Sequence, residues 1–370
     1  MSVSLLFFAS DYKIGLSSLL TDQLISLSQQ KELKICAIAG DKEQEEGLNI
    51  LLQRHRIDIK RVEGLDDHRY FRRLAELLAI IISDLQIKVV HVQNNWQLCL
   101  IVFAKYIIGF RKRRIKIIYT LHGFRHNNKL KSLFARIIIG VLLMLFADRI
   151  IYMSDYVRRK FRFLSRKMVQ IYIGVDDIFF NKVQNNICTD KLKLIFPAQF
   201  RHGKNQFSLI DAFAIYCKDK KDSAAELYLP GDGYLKQKCQ QLAIKREISD
   251  QVFFPGLLNK RDIKNLYDSC NIGVIPSNSE TYGQCIVEPF VLGRCVITRR
   301  VGVATDIIKE GENGFFFKNT REITDILTML SKDSRIIKKV GTNNFSKREL
   351  FSWENSTRKY LSLINALLRS

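Results

Sequence analysis

The sequence predicts an α/β protein built from two facing, Rossmann-like, doubly wound parallel-sheet domains with an interdomain cleft. Three observations carry that expectation. The chain has 370 residues, long for one core, and its hydrophobic content of 47% is enough to bury two sheets and excludes a disordered chain. Short apolar runs of strand type alternate with longer segments of helical pattern, the rhythm of a parallel sheet covered on both faces. A polar, weakly patterned stretch at 176–192 divides that rhythm into two series. The expected division is an N-terminal Rossmann-like domain at 1–180, a C-terminal Rossmann-like domain at 181–350, and a closing helix at 351–370 that packs back toward the first domain.

In the first series, strands are expected at 3–9, 33–39, 88–92, 115–120 and 149–153, with helical candidates at 17–29 and 70–85. The apolar start at 1–9 lacks a basic leader and runs directly into Ser10-Asp11, so it is read as a first strand rather than a signal peptide. In the second series, strands are expected at 192–196, 226–229, 251–254, 272–275 and 294–298. No internal repeat is evident.

Fifty-nine Lys and Arg against 37 acids give a formal charge of +22, a field that attracts polyanions of any kind: nucleic acid, an anionic membrane face or phosphorylated substrates. Eight cysteines without a Cys-x-x-Cys pair read as buried thiols of a reduced, cytoplasmic compartment, with no structural zinc expected. Two apolar stretches, 98–110 and 133–147, fall short of the about 20 residues a membrane span needs. The second is expected to be a buried helix. The first runs into Arg111-Lys112-Arg113-Arg114, and two readings stand: a buried helix, or one lying on an anionic membrane surface.

The richest chemistry lies at 271–288. An apolar run at 271–275 stops at Pro276-Ser277, which places the segment after it at the carboxyl edge of a sheet, where open α/β folds bind ligands. Gly283 permits close backbone approach, and the amides of Tyr282, Gly283, Gln284 and Cys285 would be free donors at a helix start, an arrangement suited to phosphate. Glu280 in the loop and Glu288 about a turn and a half into the helix would be separated by on the order of 10 Å of backbone. They would therefore hold different parts of an extended ligand, unlike the carboxyls about 5 Å apart of a retaining glycosidase. Pro289 is expected to delay or kink that helix.

The second half resembles the retaining glycosyltransferases of the GT-B fold, family 4 (glycosyl transferases group 1). The resemblance rests on five motifs in order: the strand and basic turn at 196–205, the Pro-Gly-Asp-Gly turn at 230–233, the strand at 252–256, the Glu-x7-Glu signature ending at Glu288, and the Gly-Glu-Asn-Gly-Phe turn at 311–315, followed by Phe351-Ser352-Trp353 at the final helix. The first half is similar at Tyr119 to Gly123, at 147–154 and at 173–176. Between 41 and 93 there is no family motif, as expected of an acceptor-binding region.

The resemblance implies a sugar transfer from a nucleoside-diphosphate sugar, a UDP-sugar rather than a GDP-sugar, to a saccharide acceptor with retention of configuration. Arg201 and Lys204 would hold the diphosphate and neutralise the leaving group, Glu288 the ribose, Glu280 and His122 the donor sugar, and Phe254 would lie near the base; Gly15 would approach the donor phosphate. With no Asp-x-Asp, neither a metal nor another cofactor is expected. The expected setting is bacterial surface polysaccharide or lipopolysaccharide (O-antigen) assembly on a lipid-linked acceptor, peripheral at the cytoplasmic face of the inner membrane; nucleic acid is not an expected partner, and oligomeric state is left open. Three departures stand out: Gly15 lacks a second glycine beside it, Gly302 to Asp306 replaces Gly-Gly-x-x-Glu, and Thr281-Tyr282 replaces Gly-Phe. The alternatives are a nucleotide-sugar epimerase on the same architecture and a non-catalytic, basic polyanion-binding protein.

Overall fold

The computed structural model describes residues 3–8, 17–39, 55, 57–65, 67–109, 115–122, 129–180 and 191–369. In chain order its first elements are β1 (Val3–Phe8), α1 (Ser17–Ser28), β2 (Leu33–Ala39), β3 (Asp58–Arg61), α2 (Phe71–Asp84), β4 (Val89–Val92), α3 (Asn95–Ile108), β5 (Lys116–Leu121), α4 (Lys129–Phe146), β6 (Arg149–Tyr152), α5 (Asp155–Arg158) and β7 (Met168–Gln170). Next come β8 (Lys193–Ile195), α6 (Gln206–Lys220), β9 (Glu226–Tyr228), α7 (Lys236–Lys245), β10 (Val252–Phe253), α8 (Lys260–Ser269), β11 (Ile272–Ile275), α9 (Gln284–Val291), β12 (Cys295–Thr298), α10 (Ala304–Ile307), β13 (Phe315–Phe316), α11 (Thr320–Lys332), α12 (Arg335–Phe345) and α13 (Trp353–Arg369).

Chain contacts separate two compact units, one formed by residues 1–153, 157–174 and 353–370, the other by 154–156 and 175–352. The first holds a seven-stranded sheet in the order β3-β2-β1-β4-β5-β6-β7, the second a six-stranded sheet in the order β10-β9-β8-β11-β12-β13. Every pairing is parallel. Parallel strands need crossover helices, which cover both faces and force near-continuous apolar runs. Thus Leu5, Leu6, Phe7 and Phe8 of β1 are all inaccessible to solvent, as are Cys295, Val296 and Ile297 of β12.

Every strand expected from the sequence is present, with ends shifted by at most two residues. The strands not expected are β3, β7 and β13, all at sheet edges. They are short, and β3 reads Asp-Ile-Lys-Arg; an edge strand has one paired side and no need of an apolar run.

The first unit is closed by α13. Ser26 of α1 and Thr357 of α13 share a 2.6 Å hydrogen bond between hydroxyls, and Leu24, Leu27, Leu363, Ile364 and Leu367 join one apolar cluster with β1. Tyr360 reaches the centre of the sheet, where its hydroxyl lies 2.8 Å from Nδ1 of the fully buried His91; on the other side of that ring Nε2 lies 2.6 Å from the Thr120 hydroxyl. Burial, and to a lesser extent His122, pulls His91 down to about 3, so the ring is neutral. A neutral imidazole has one donor and one acceptor nitrogen, and the Thr120 and Tyr360 hydroxyls, each able to donate or accept, satisfy both.

The structure corrects one expectation. The 133–147 stretch, read as a buried helix, lies mostly in α4, where Ile139 and Leu143 are buried but Phe134, Ile137, Ile138, Val141, Met144 and Leu145 are exposed. The 98–110 stretch is split: α3 buries Leu98, Leu100, Ile101 and Ala104 and exposes Phe103, Tyr106 and Ile107, while residues 110–114 lie outside the described residues.

Tyr360→Phe leaves His91 Nδ1 without its partner in the core, so it should lower stability by about 1–3 kcal/mol. Urea unfolding of the two proteins measures the difference; a loss below about 0.5 kcal/mol would mean that the network contributes little.

Candidate functional site

In the second sheet the strand order reverses between β8 and β11: β9 and β10 lie on one side, β12 and β13 on the other. At such a point the connections leave toward opposite faces, and a crevice opens outside the carboxyl ends of the strands. Three segments meet there. Residues 196–205 follow β8, 276–283 follow β11, and 299–303 follow β12. They are joined by backbone bonds: Asn278 N donates to Gly203 O (3.0 Å), Arg299 N to Ile275 O (3.4 Å), and Val303 N to Tyr282 O (2.8 Å). Asn205 adds a side-chain bond from Nδ2 to Pro276 O (3.4 Å).

Two glycines make this closeness possible. Gly283, at φ +93°, begins α9; a Cβ there would stand 2.7 Å from Ile286 Cδ1. Gly302, at φ +52°, passes so near the Glu280 loop that a Cβ would stand 2.3 Å from Tyr282 O and 3.0 Å from Glu280 Cβ. The helix starts at once after Gly283 and continues through Pro289, whose ring packs where Gly273 of β11 has no side chain. Tyr282, standing where Gly-Phe is common in the resembled family, is buried. The altered turn at 302–306 is held by Asp306, which accepts the Asp155 amide at 2.9 and 3.0 Å.

Of the residues singled out in the sequence, Arg201, Lys204, Glu280, Tyr282, Gly283, Gln284, Cys285 and Glu288 share this sheet edge. Lys204 Nζ lies 2.5 Å from a carboxylate oxygen of Glu280, both side chains being mostly buried (14% and 11% exposed). On the segments that meet at this edge, Arg201 Nε, Ser277 Oγ, Gln284 Nε2 and Arg299 Nε are buried with no hydrogen-bond partner among the described residues. Unpaired polar groups are rare in folded proteins, and four donor groups from neighbouring segments fit a ligand rich in acceptors. The opening amides of α9 add donors of the same kind: the first bonds within the helix run from Ile286 and Val287 to Gly283 O.

Glu288 is the fifth residue of α9, a turn and more from Glu280 in the loop, as the spacing implied. Although part of its surface remains open, burial lifts its carboxyl to about 7, against smaller opposing effects of Tyr267 and Lys260. Behind it Tyr267 is fully buried, and its hydroxyl forms no well-aligned hydrogen bond; burial and the Glu288 charge hold that phenol well above its ordinary range. Burial likewise pushes the Cys285 thiol far up, so it is no nucleophile. Phe254 is half-buried, 6.0 Å from Phe200 between ring centres; with Tyr228, Phe253, Pro255 and Leu258 it lines a trough of about 650 Å³ beside α8.

His122 belongs to the first unit, just after β5. Its Nε2 lies 2.7 Å from Gln93 Oε1, and the Gln93 amide nitrogen lies 3.4 Å from His91. Burial lowers His122 to about 4, so it is neutral; Nε2–H donates to Gln93, leaving Nδ1 as an acceptor. Gly15 lies outside the described residues. The sequence reading missed Ser277 and Arg299. A signal existed for Arg299, since it directly follows a strand on the same sheet edge that made Arg201 and Lys204 stand out.

Fold and site together define an α/β protein with a donor-rich crevice at the point where its strand order reverses, and comparison with known proteins specifies the family. Residues 177–345 match the family model of glycosyl transferases group 1, and residues 22–178 match that of Glycosyltransferase Family 4. The chain belongs to this family of GT-B glycosyltransferases. It is similar to an uncharacterized glycosyltransferase of Methanocaldococcus jannaschii (27% identity over 212 residues, 56% of each chain) and to the O-antigen biosynthesis glycosyltransferase WclY of Escherichia coli (24% over 279 residues, 73% of this chain and 76% of the other). It spans 56% to 66% of the length of three curated relatives it matches. Among solved structures, HepE of Anabaena in complex with UDP superposes with a TM-score of 0.79 at 18% identity, over 98% of this chain and 100% of that one. A glycosyltransferase of Rickettsia africae gives 0.78 at 17%, over 100% and 99%.

A carboxyl whose folded pKa of about 7 exceeds its ordinary 4.5 keeps a proton that the unfolded chain has already released. Stability should therefore fall as pH rises from about 4.5 through 7. Glu288→Gln should flatten that decline, and melting temperatures at pH 5, 6 and 7.5 would show it. An unchanged slope would mean that Glu288 is ionised in the folded protein throughout.

Proposed function

We propose that this protein is a retaining glycosyltransferase that uses a nucleoside-diphosphate sugar, a UDP-sugar in preference to a GDP-sugar, and passes its sugar to a lipid-linked saccharide at an anionic membrane surface. The observation that carries this reading is the set of buried, unpaired donors around Arg201 and Lys204 at the strand-order reversal, bordered by Glu280 and Glu288.

Arg201 and Lys204 bind the diphosphate and offset the charge that grows as the C1–O bond to phosphate breaks. The opening amides of α9 complete the phosphate cradle. Glu288 accepts hydrogen bonds from the ribose hydroxyls, Glu280 from hydroxyls of the donor sugar, and Phe254 borders the base. In the first unit, His122 Nδ1 offers an acceptor suited to a sugar hydroxyl. The acceptor oxygen bonds to C1 on the face the phosphate leaves, and its proton passes to the departing phosphate oxygen, so no separate protein base is required. The basic pair takes the place of a metal. A UDP donor is supported by the UDP-bound relative of the same fold, and a surface-polysaccharide setting by the O-antigen relative and the charge of +22.

A thermal-shift screen of UDP-, GDP- and other NDP-sugars should find one donor that stabilises the protein, by about 2.7 kcal/mol at 100 times its dissociation constant. Lys204→Ala and Glu288→Ala should weaken that response by about ten-fold or more in donor concentration. Proton NMR of the product should show the donor's anomeric configuration. The reading fails if no nucleotide-sugar shifts the wild type, or if both variants respond as the wild type does.

A further inference from the structure

The α4 helix is apolar nearly all round, and such a helix is ordinarily buried on every side. Here one side is open. Phe134, Ile137, Ile138, Val141, Met144 and Leu145 recur at helical spacing over three turns and are exposed, Ile138 by 61% and Leu145 by 63%. Adjacent to the stripe lies the 3₁₀ segment Arg159–Lys167, whose exposed Phe163 ring crosses α4 at Gly140, where a Cβ would stand 2.2 Å from the ring. Lys167 Nζ donates to the carbonyls of Met144 (2.6 Å) and Ala147 (2.7 Å), fixing that segment to the carboxyl end of α4. On another side, Leu142 and Phe146 meet Leu98, Val102 and Phe103 in an apolar trough of about 440 Å³, which extends the patch toward the exposed Tyr106 and Ile107. A continuous exposed apolar surface of this kind marks an interaction site.

Charge selects the occupant. Residues 101–167 contain seventeen Lys and Arg and only two acids, Asp148 and Asp155, so most of the chain's +22 falls in the stretch of sequence that includes α4 and the 159–167 segment. Arg159, Arg162 and Arg166 are exposed beside Phe163 and form no ion pair among the described residues. A second copy of the chain would oppose like charges. An anionic bilayer instead supplies acyl chains for the stripe and phosphates for the arginines. No helix of the described residues is long and apolar enough to cross a membrane, so contact lies along the surface.

We propose that α4 and the 159–167 segment form a docking face that seats the protein on an anionic lipid surface, with Phe134, Ile138, Val141, Leu145 and Phe163 entering the acyl region and Arg162 and Arg166 holding headgroup phosphates. This deepens the membrane setting of the proposed function and rests on it only for its purpose, since lipid binding and donor binding are read separately.

Full-length protein is to be co-sedimented with phosphatidylcholine vesicles and with vesicles containing phosphatidylglycerol as well. The wild type should bind the anionic vesicles, more weakly as salt is raised, and leave the neutral ones. Ile138→Ser with Leu145→Ser should lower the partition coefficient about ten-fold or more, and Arg162→Glu with Arg166→Glu by a similar factor. In Ile138→Trp, which retains bulk, fluorescence should shift to the blue on anionic vesicles alone. The donor-induced thermal shift of each variant should match the wild type, which shows that it is folded and separates this result from failure of the donor site. Absence of wild-type binding, equal binding to neutral vesicles, wild-type binding by both double variants, or a concentration-dependent dimer with no vesicle binding each overturns the proposal.

Discussion

The second unit depends on one constraint of parallel sheets. All six strands point their carboxyl ends the same way, and the order reverses between β8 and β11. Three segments that leave β8, β11 and β12 must therefore share one edge, with no helix passing over the gap. Everything chemically distinctive about the unit stems from that crowding. Lys204 and Glu280, 76 residues apart in sequence, become an ion pair, and Gly302 has no room for a side chain.

Crowding also determines the electrostatics. Removing charged groups from water is costly unless they find partners. Lys204 has Glu280, but Arg201 Nε and Arg299 Nε have no hydrogen-bond partner among the described residues, and Glu288 meets the cost of burial by a raised proton affinity. Groups left unsatisfied in this way, gathered at one sheet edge, fit a ligand that supplies the missing interactions. The first unit solves a similar problem internally: His91, Thr120 and Tyr360 satisfy one another, and Gln93 carries the network on to His122.

Much of this was legible in the sequence because double-sided burial writes itself as apolar runs. Inner strands such as β1, β11 and β12 were therefore read directly, whereas β3, β7 and β13, each with one free edge, were not. The carboxylates at 280 and 288 were placed correctly on loop and helix because Gly283 and the preceding strand framed them. Arg299 was passed over because it has no counterpart in the motif that drew attention to Arg201 and Lys204. The α4 helix failed for a deeper reason: an apolar pattern reports that a side chain avoids water, not what replaces the water. Ile139 and Ile138 are adjacent in sequence and identical in type, yet one is buried and the other exposed.

The central claim is that the β8/β11 edge holds the diphosphate of a nucleotide-sugar. A crystal structure of the protein with UDP tests it most directly. The account predicts the diphosphate within hydrogen-bonding distance of Lys204 Nζ and the Arg201 guanidinium, with the ribose hydroxyls on Glu288. UDP bound elsewhere, or its diphosphate turned away from Arg201 and Lys204, would contradict it.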